Sequence, residues 1–201
     1  MSDKIIDGKL VSEKIRKVIK EKAQRIEKEF SRVPGLAAVL VGEDPASQIY
    51  VRNKRRSCED VGIYSEEHKL SESTTQDELL SLIDKLNNDN KINGILVQLP
   101  LPSHINESLV LNSVSPEKDV DGFHPINAGY LFEGQPKFIP CTPHGIIKML
   151  EFYNVEIEGK NAVVLGRSNI VGKPAAILLL QKNATVTICH SRTRNLNEVL
   201  K

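Results

Sequence analysis

The sequence contains no tryptophan, and aromatic residues make up only 4% of it. That leaves little material for a surface on which nucleic-acid bases stack. Cysteine is scarce and odd in number, with Cys58, Cys141 and Cys189 far apart. Such spacing gives neither a disulfide framework nor a zinc pattern and points to a reducing compartment. An excess of either charge is also missing, with 27 basic against 26 acidic side chains. There is then no electrostatic ground to expect nucleic acid or an anionic membrane as partner. No apolar run reaches transmembrane length. Met1-Ser2-Asp3-Lys4 puts an acid ahead of a short apolar pair, unlike a secretory or Arg-rich transit leader. The five histidines show no i, i+4 or short-loop pairing, so no metal site is expected. No serine or cysteine stands in a nucleophile setting, and there is no internal repeat.

What is present suits an α/β protein. The chain has 201 residues, 40% of them hydrophobic, enough for one large domain or two small ones. A helix is expected from Lys9 to Phe30, where Val11, Ile15, Val18, Ile19, Ile26 and Phe30 recur at helical spacing. Lys and Glu fill its other face. Pro34-Gly35 breaks the chain. Leu36–Val41 is a continuously apolar strand of the kind buried on both faces of a parallel sheet. Alternation follows: a helix from Pro45 to near Gly62 with Asp44 as N-cap, a short strand over 63–70, a helix over 75–86, and a strand over Gly94–Leu99. Between Pro116 and Pro143 lie five of the ten prolines, and periodicity fades. That stretch reads as a linker. Beyond it, a helix over 143–153, a strand over 161–165, a helix over 174–181 and a strand over 184–189 make one βαβ unit. The domains expected are an N-terminal α/β lobe with a mainly parallel sheet over 1–120, a linker over 121–142, and a partial Rossmann-like lobe over 143–201.

Gly166-Arg167-Ser168 to Gly172-Lys173-Pro174 is a glycine-containing turn from strand to helix. Such turns take a dinucleotide pyrophosphate, because glycine admits phosphate to the backbone and the helix start offers N–H donors. The spacing is not G-x-G-x-x-G, so an ordinary turn remains open. The next strand ends in His190-Ser191-Arg192-Thr193. An acid at this point binds the ribose hydroxyl of NAD. Ser191 and Arg192 stand in its place and suit the 2′-phosphate of NADP, although solvated loop charges are the competing reading.

Ser47, Tyr50 and Lys54 have the spacing i, i+3, i+7 of one helix face, with Val51, Cys58 and Val61 expected on an opposite, core-facing stripe. A hydroxyl, a ring and an amine in one row can hold a flat heteroaromatic substrate and move a proton. Arg52, Lys54, Arg55 and Arg56 also fit a basic surface helix, and spacing alone favours that. Gln98 closes a buried strand, at the end where α/β sheets bind ligands, and it carries both a donor and an acceptor. A turn-capping amide is equally open. Asp119-Val120-Asp121-Gly122, if extended, points both carboxylates one way. Solvated turn acids are the commoner outcome.

Five ordered motifs then carry a resemblance over essentially the whole chain: Tyr50-Val51-Arg52-Asn53-Lys54, Val97-Gln98-Leu99-Pro100-Leu101-Pro102, Pro116–Phe123, Pro140-Cys141-Thr142-Pro143, and Gly166-Arg167-Ser168 with Val171-Gly172-Lys173-Pro174. The chain resembles the methylenetetrahydrofolate dehydrogenase/cyclohydrolase family. The resemblance implies hydride transfer from 5,10-methylenetetrahydrofolate to NADP, then hydrolysis of the methenyl cation to 10-formyltetrahydrofolate. These reactions belong to one-carbon metabolism and serve purine biosynthesis. It also implies roles. Lys54 is the general acid/base and Gln98 holds it. Tyr50 stacks on the folate and Asp121 anchors the pterin. Ser47, Val51, Arg52, Asn53, Val97 and Leu99 line the substrate site. Gly166, Arg167, Ser168, Ser191 and Arg192 bind NADP. A cytoplasmic homodimer is implied as well. Members of the family continue with further strands, a Pro/Gly-rich loop and a C-terminal helix. The chain is therefore expected to be incomplete at its C-terminus, with a two-stranded sheet that has a bare face and an unpaired edge.

Overall fold

The computed structural model describes residues 5–201; the leader reading of Met1–Lys4 lies outside them. Two compact units result. One is Ser12–Val120. The other joins the residues up to Val11 with Asp121–Lys201. The boundary falls inside the first helix, α1 (Gly8–Phe30).

In the Ser12–Val120 unit, β1 (Gly35–Val41) lies between β2 (Tyr64–Leu70) and β3 (Gly94–Val97), and both pairings are parallel. β1 is hidden on both faces, as its unbroken apolar run requires. On one face Ala37, Val39 and Val41 join Leu79, Ile83 and Leu86 of α3 (Gln76–Asn88) and Val110 of α4 (Glu107–Ser113). On the other face Ala38 and Leu40 pack on Val51 of α2 (Pro45–Val61). Local chemistry sets the helix ends. Asp44 caps α2 by accepting the Ser47 N–H at 2.7 Å, and Pro45 opens the helix without wasting a donor. Gly62 ends it in a left-handed conformation at φ 78°. Thr75 and Glu78 form a capping box on α3.

In the other unit, β4 (Asn161–Leu165) and β5 (Thr185–Cys189) are parallel neighbours joined through α7 (Gly172–Gln181). Leu178 of α7, Ile147 of α6 (Cys141–Phe152) and Leu131 form its core. A final turn, α8, spans Leu196–Val199.

Several expectations need correction. The stretch 121–142 is not a linker, because α5 (Pro125–Phe132) sits in it. Leu131 of α5 is buried, and the Gln181 side chain donates to its carbonyl. Eight residues make barely two turns, too few to show a period in sequence, and Pro125 occupies the first turn, where proline is tolerated. α4 is missed for the same reason of length. The residues before Ser12 belong with the second unit, where the Asp7 N–H donates to the Tyr153 hydroxyl at 2.9 Å. The apolar positions of α1 do not form a buried stripe: Val18 is 50% and Phe30 65% exposed. β3 stops at Val97, so Leu99 lies beyond it, and the Leu99–Pro100 peptide is cis. β4 alternates between partly buried and exposed positions, leaving Val163, Leu165 and Ile188 bare on a sheet with two strands.

Gly35 shows where the larger unit tolerates no added atom. Its N–H and carbonyl are both bonded to Asn93, and a Cβ there would lie 2.0 Å from the Lys91 carbonyl oxygen. Gly35→Ala is expected to destabilise the fold by about 3 kcal/mol or more. Gly145 lies within α6 with nothing within 4 Å of an added Cβ. Gly145→Ala should stabilise by roughly 0.5–1 kcal/mol through helix propensity. Urea unfolding of both variants checks the opposite signs.

Candidate active site

The carboxyl ends of β1 and β3 carry the first cluster. β1 runs into the Gly42–Asp44 loop and α2, and β3 runs into Gln98. The Gln98 N–H donates to the Val39 carbonyl at 2.9 Å, which fixes the backbone beyond the strand. Its side chain is held at both ends. Lys54 Nζ donates to Gln98 Oε1 at 3.2 Å, and Gln98 Nε2 donates to the Leu99 carbonyl at 2.7 Å. A glutamine fits this position because it accepts from an ammonium and donates to a carbonyl at once. Lys54 is half-buried and Gln98 likewise. Tyr50 is 61% exposed one turn earlier on the same helix, so its ring is open to a ligand.

Side-chain burial divides the remaining expected contacts. Val51 is fully buried among Ala38 and Leu40, and Val97 is a buried β3 residue. Neither side chain is available to a ligand; Val51 anchors the helix instead. Ser47 is also buried, at 3% exposure. The sequence reading set Ser47 on a face opposite Val51, but successive residues turn by about 100°, and Ser47, Lys54, Cys58 and Val51 share one arc. The Ser47 N–H, then its hydroxyl, hold the Asp44 carboxyl below the usual carboxylate range. Ser47 therefore builds the helix start. Arg52 and Asn53 are exposed, and Leu99 is half-buried.

Asp119 and Asp121 are not an aligned pair. Asp119 is buried and bridges to Ile95 as a short parallel extension of the sheet. The chain then turns, with Gly122 at φ 66°. Asp121 belongs to the second unit and stays half-exposed, and its Oδ1 lies 3.7 Å from the Cys141 thiol.

The second cluster lies at the carboxyl ends of β4 and β5, whose last residues Leu165 and Cys189 are register partners. The Gly166 N–H donates to the Cys189 carbonyl at 2.8 Å. Gly172 approaches Gly166 so closely that a Cβ would lie 2.4 Å from its oxygen, so glycine is required at 172. Ser168 Oγ accepts the N–H groups of Val171 and Gly172, both at 3.2 Å, and so caps α7 from inside the turn. Sequence reasoning treated those N–H groups as free for a ligand; the Ser168 hydroxyl now stands at that position. Beside this turn, the Thr193 Oγ1 accepts the His190 N–H at 2.8 Å, closing a tight loop that leaves Ser191 and Arg192 exposed. Arg167 is exposed as well. The loop carries hydroxyl and cationic groups where a ribose-binding acid would stand. That donor set fits a phosphorylated dinucleotide.

The family model for the tetrahydrofolate dehydrogenase/cyclohydrolase catalytic domain matches residues 6–121, and that for the NAD(P)-binding domain matches 140–201. The bifunctional protein FolD of Moorella thermoacetica is 59% identical over 196 residues, which is 98% of this chain and 70% of that protein. FolD of Streptococcus agalactiae serotype Ia is 55% identical over 197 residues, 98% of this chain and 69% of that one. Among solved structures, the Campylobacter jejuni bifunctional enzyme FolD superposes with a TM-score of 0.93 at 50% identity, covering 96% of this chain and 68% of that one. The Trypanosoma brucei dehydrogenase-cyclohydrolase, complexed with NADP cofactor and inhibitor, gives 0.92 at 38% identity, with 96% and 66% covered.

Removing the Ser168 hydroxyl would leave the Val171 and Gly172 N–H groups without that acceptor. Ser168→Ala is expected to cost about 1 kcal/mol, read as a shift in the urea midpoint. An unchanged midpoint would show that water caps α7 equally well.

Proposed function

The chain belongs to the tetrahydrofolate dehydrogenase/cyclohydrolase family, and from that premise we propose that it oxidises 5,10-methylenetetrahydrofolate with NADP and hydrolyses the 5,10-methenyl product to 10-formyltetrahydrofolate. The observation that carries the hydrolytic step is the 3.2 Å bond from Lys54 Nζ to Gln98 Oε1. It aims an amine at a fixed point beside the exposed Tyr50 ring.

In this reading the aromatic part of the folate lies on Tyr50, and Asp121 receives the amino-substituted pterin. Arg52, Asn53 and the Leu99 backbone complete the first cluster. Lys54, as the free amine, takes a proton from water attacking the methenyl carbon. The ammonium so formed then protonates the departing ring nitrogen, and the C–N bond breaks as the carbinol hydroxyl formed by the water releases its remaining proton to solvent, leaving the formyl group. Gln98 accepts from the amine in either charge state and keeps it oriented.

The residues over 140–201, matched by the NAD(P)-binding family model, would form the NADP-binding part, and those over 6–121, matched by the catalytic-domain model, the folate-binding part. Gly166, Arg167 and Ser168 would take the pyrophosphate, and Ser191 with Arg192 the 2′-phosphate. NADP, when bound, accepts the hydride, a step that needs positioning rather than an acid or base. Among the described residues no helix is long and apolar enough to cross a membrane. A cytoplasmic homodimer associating through the nucleotide-binding part completes the proposal. The bare Val163, Leu165 and Ile188 side chains of the two-stranded sheet favour a second reading, in which the chain binds folate and nucleotide without turnover. Tight binding with no NADPH formation would identify it.

Lys54→Gln should lower methenyl hydrolysis at least a hundredfold while NADPH formation falls by less than about tenfold. Separate assays of the two steps on the folded variant check this. Equal losses would remove Lys54 from the proton-transfer role.

A further inference from the structure

The loop that follows β5 is closed by a side chain to which the function proposed above gives no part. Residues 190–193 form a turn in which the Thr193 N–H donates to the His190 carbonyl at 2.8 Å. The His190 N–H donates to Thr193 Oγ1 at 2.8 Å, and the Arg192 N–H donates to His190 Nδ1 at 3.2 Å. A side-chain acceptor at the first position of a turn, reaching the N–H two residues on, is ordinarily supplied by Asn or Asp. Here an imidazole supplies it. Because Nδ1 accepts, it carries no proton, and the neutral ring keeps its proton on Nε2. The turn is anchored where it leaves the sheet, since Cys189 is buried and its carbonyl accepts the Gly166 N–H at 2.8 Å.

These bonds use the N–H groups of His190, Arg192 and Thr193. The Ser191 N–H has no acceptor among the described residues, and the Ser191 and Arg192 side chains are exposed. The apex of the turn therefore offers an N–H, a hydroxyl and a guanidinium, with no carboxylate in the turn. An Asp at 190 would close the same turn but set a carboxylate beside that apex, where it repels a phosphate and suits a ribose hydroxyl. Histidine closes the turn without that charge. Resting on the NADP reading above, we propose that His190 is the positioning residue for the 2′-phosphate: its Nδ1 holds Ser191 and Arg192 at the apex, and its lack of negative charge sets a preference for NADP over NAD. The imidazole acts through the turn, and the apex groups make the contact. Selectivity then depends on two separable properties of one side chain, an acceptor for the Arg192 N–H and the absence of a carboxylate.

The test measures, by calorimetry, the binding of adenosine 2′,5′-bisphosphate and of 5′-AMP to the full chain and to His190→Ala, His190→Asn and His190→Asp. The two probes differ only in the 2′-phosphate and need neither folate nor turnover. The unaltered chain should bind the bisphosphate about tenfold or more tightly than 5′-AMP, the size of a charge-assisted hydrogen bond. In His190→Ala the ratio should fall below about threefold while 5′-AMP binding stays within about twofold, because only the turn acceptor is lost. His190→Asn puts an acceptor back in reach of the Arg192 N–H and should restore the ratio to about tenfold. His190→Asp keeps the turn and should invert the preference. A ratio that survives His190→Ala, an Asn variant no better than the Ala variant, an Asp variant that still prefers the bisphosphate, or equal loss of both probes would overturn the proposal. Equal binding of the two probes by the unaltered chain would remove the NADP reading itself, and this proposal with it.

Discussion

The burial of β1 on both faces is the constraint on which the rest of the larger unit depends. One row of its side chains, Ala37, Val39 and Val41, packs toward α3 and α4. The other row, Ala38 and Leu40, accepts Val51 of α2. With a hidden Val51 the helix cannot rotate, since a turn of one position would expose an apolar side chain or bury an arginine. That sets Tyr50 outward and Lys54 half in. The same strand positions Gln98 through the Val39 carbonyl. The Lys54–Gln98 bond thus follows from the core, and the Lys54 amine is held by packing several residues away from itself.

The second unit uses backbone where the first uses side chains. Its turn after β4 is shaped by the contact between Gly166 and Gly172, and Ser168 satisfies the helix start. The adjoining loop after β5 offers hydroxyl and guanidinium groups without a carboxylate. The exposed hydroxyl and guanidinium groups of that loop suit a negatively charged ligand. By contrast, Val163 and Leu165 on one face of this sheet and Ile188 on the other are apolar and bare. Parallel strands ordinarily have helices over both faces.

Where the chain is regular for more than about two turns, the sequence was readable. The 23-residue α1, the capped α2 and α3, and the apolar β1 and β3 follow from period, capping and propensity. The seven and eight residues of α4 and α5 do not, because a period cannot be read from two turns or fewer. Site residues divide similarly. Tyr50, Lys54 and Gln98 could be singled out by order and by type, and the structure adds that Lys54 and Gln98 are hydrogen-bonded. Ser47 was assigned to the wrong side because helical spacing gives relative angles and no absolute direction. The unburied stripe of α1 shows the same limit, since amphipathic spacing says which residues share a face and leaves open whether anything covers it.

By itself the sequence determined the alternation of strands and helices, the caps that end them and the parallel character of the sheet, and it singled out the residues offered for the site. Those are properties of neighbours along the chain, within a few residues of one another. Only the tertiary structure decided that Lys54 meets Gln98 across 44 positions, that Val51 and Ser47 turn inward, that Asp119 is a sheet residue while Asp121 is not, and that Asn127 and Leu131 within 121–142 are buried. Each of these depends on which surfaces exclude water together, and that is settled by packing between distant segments rather than by local pattern.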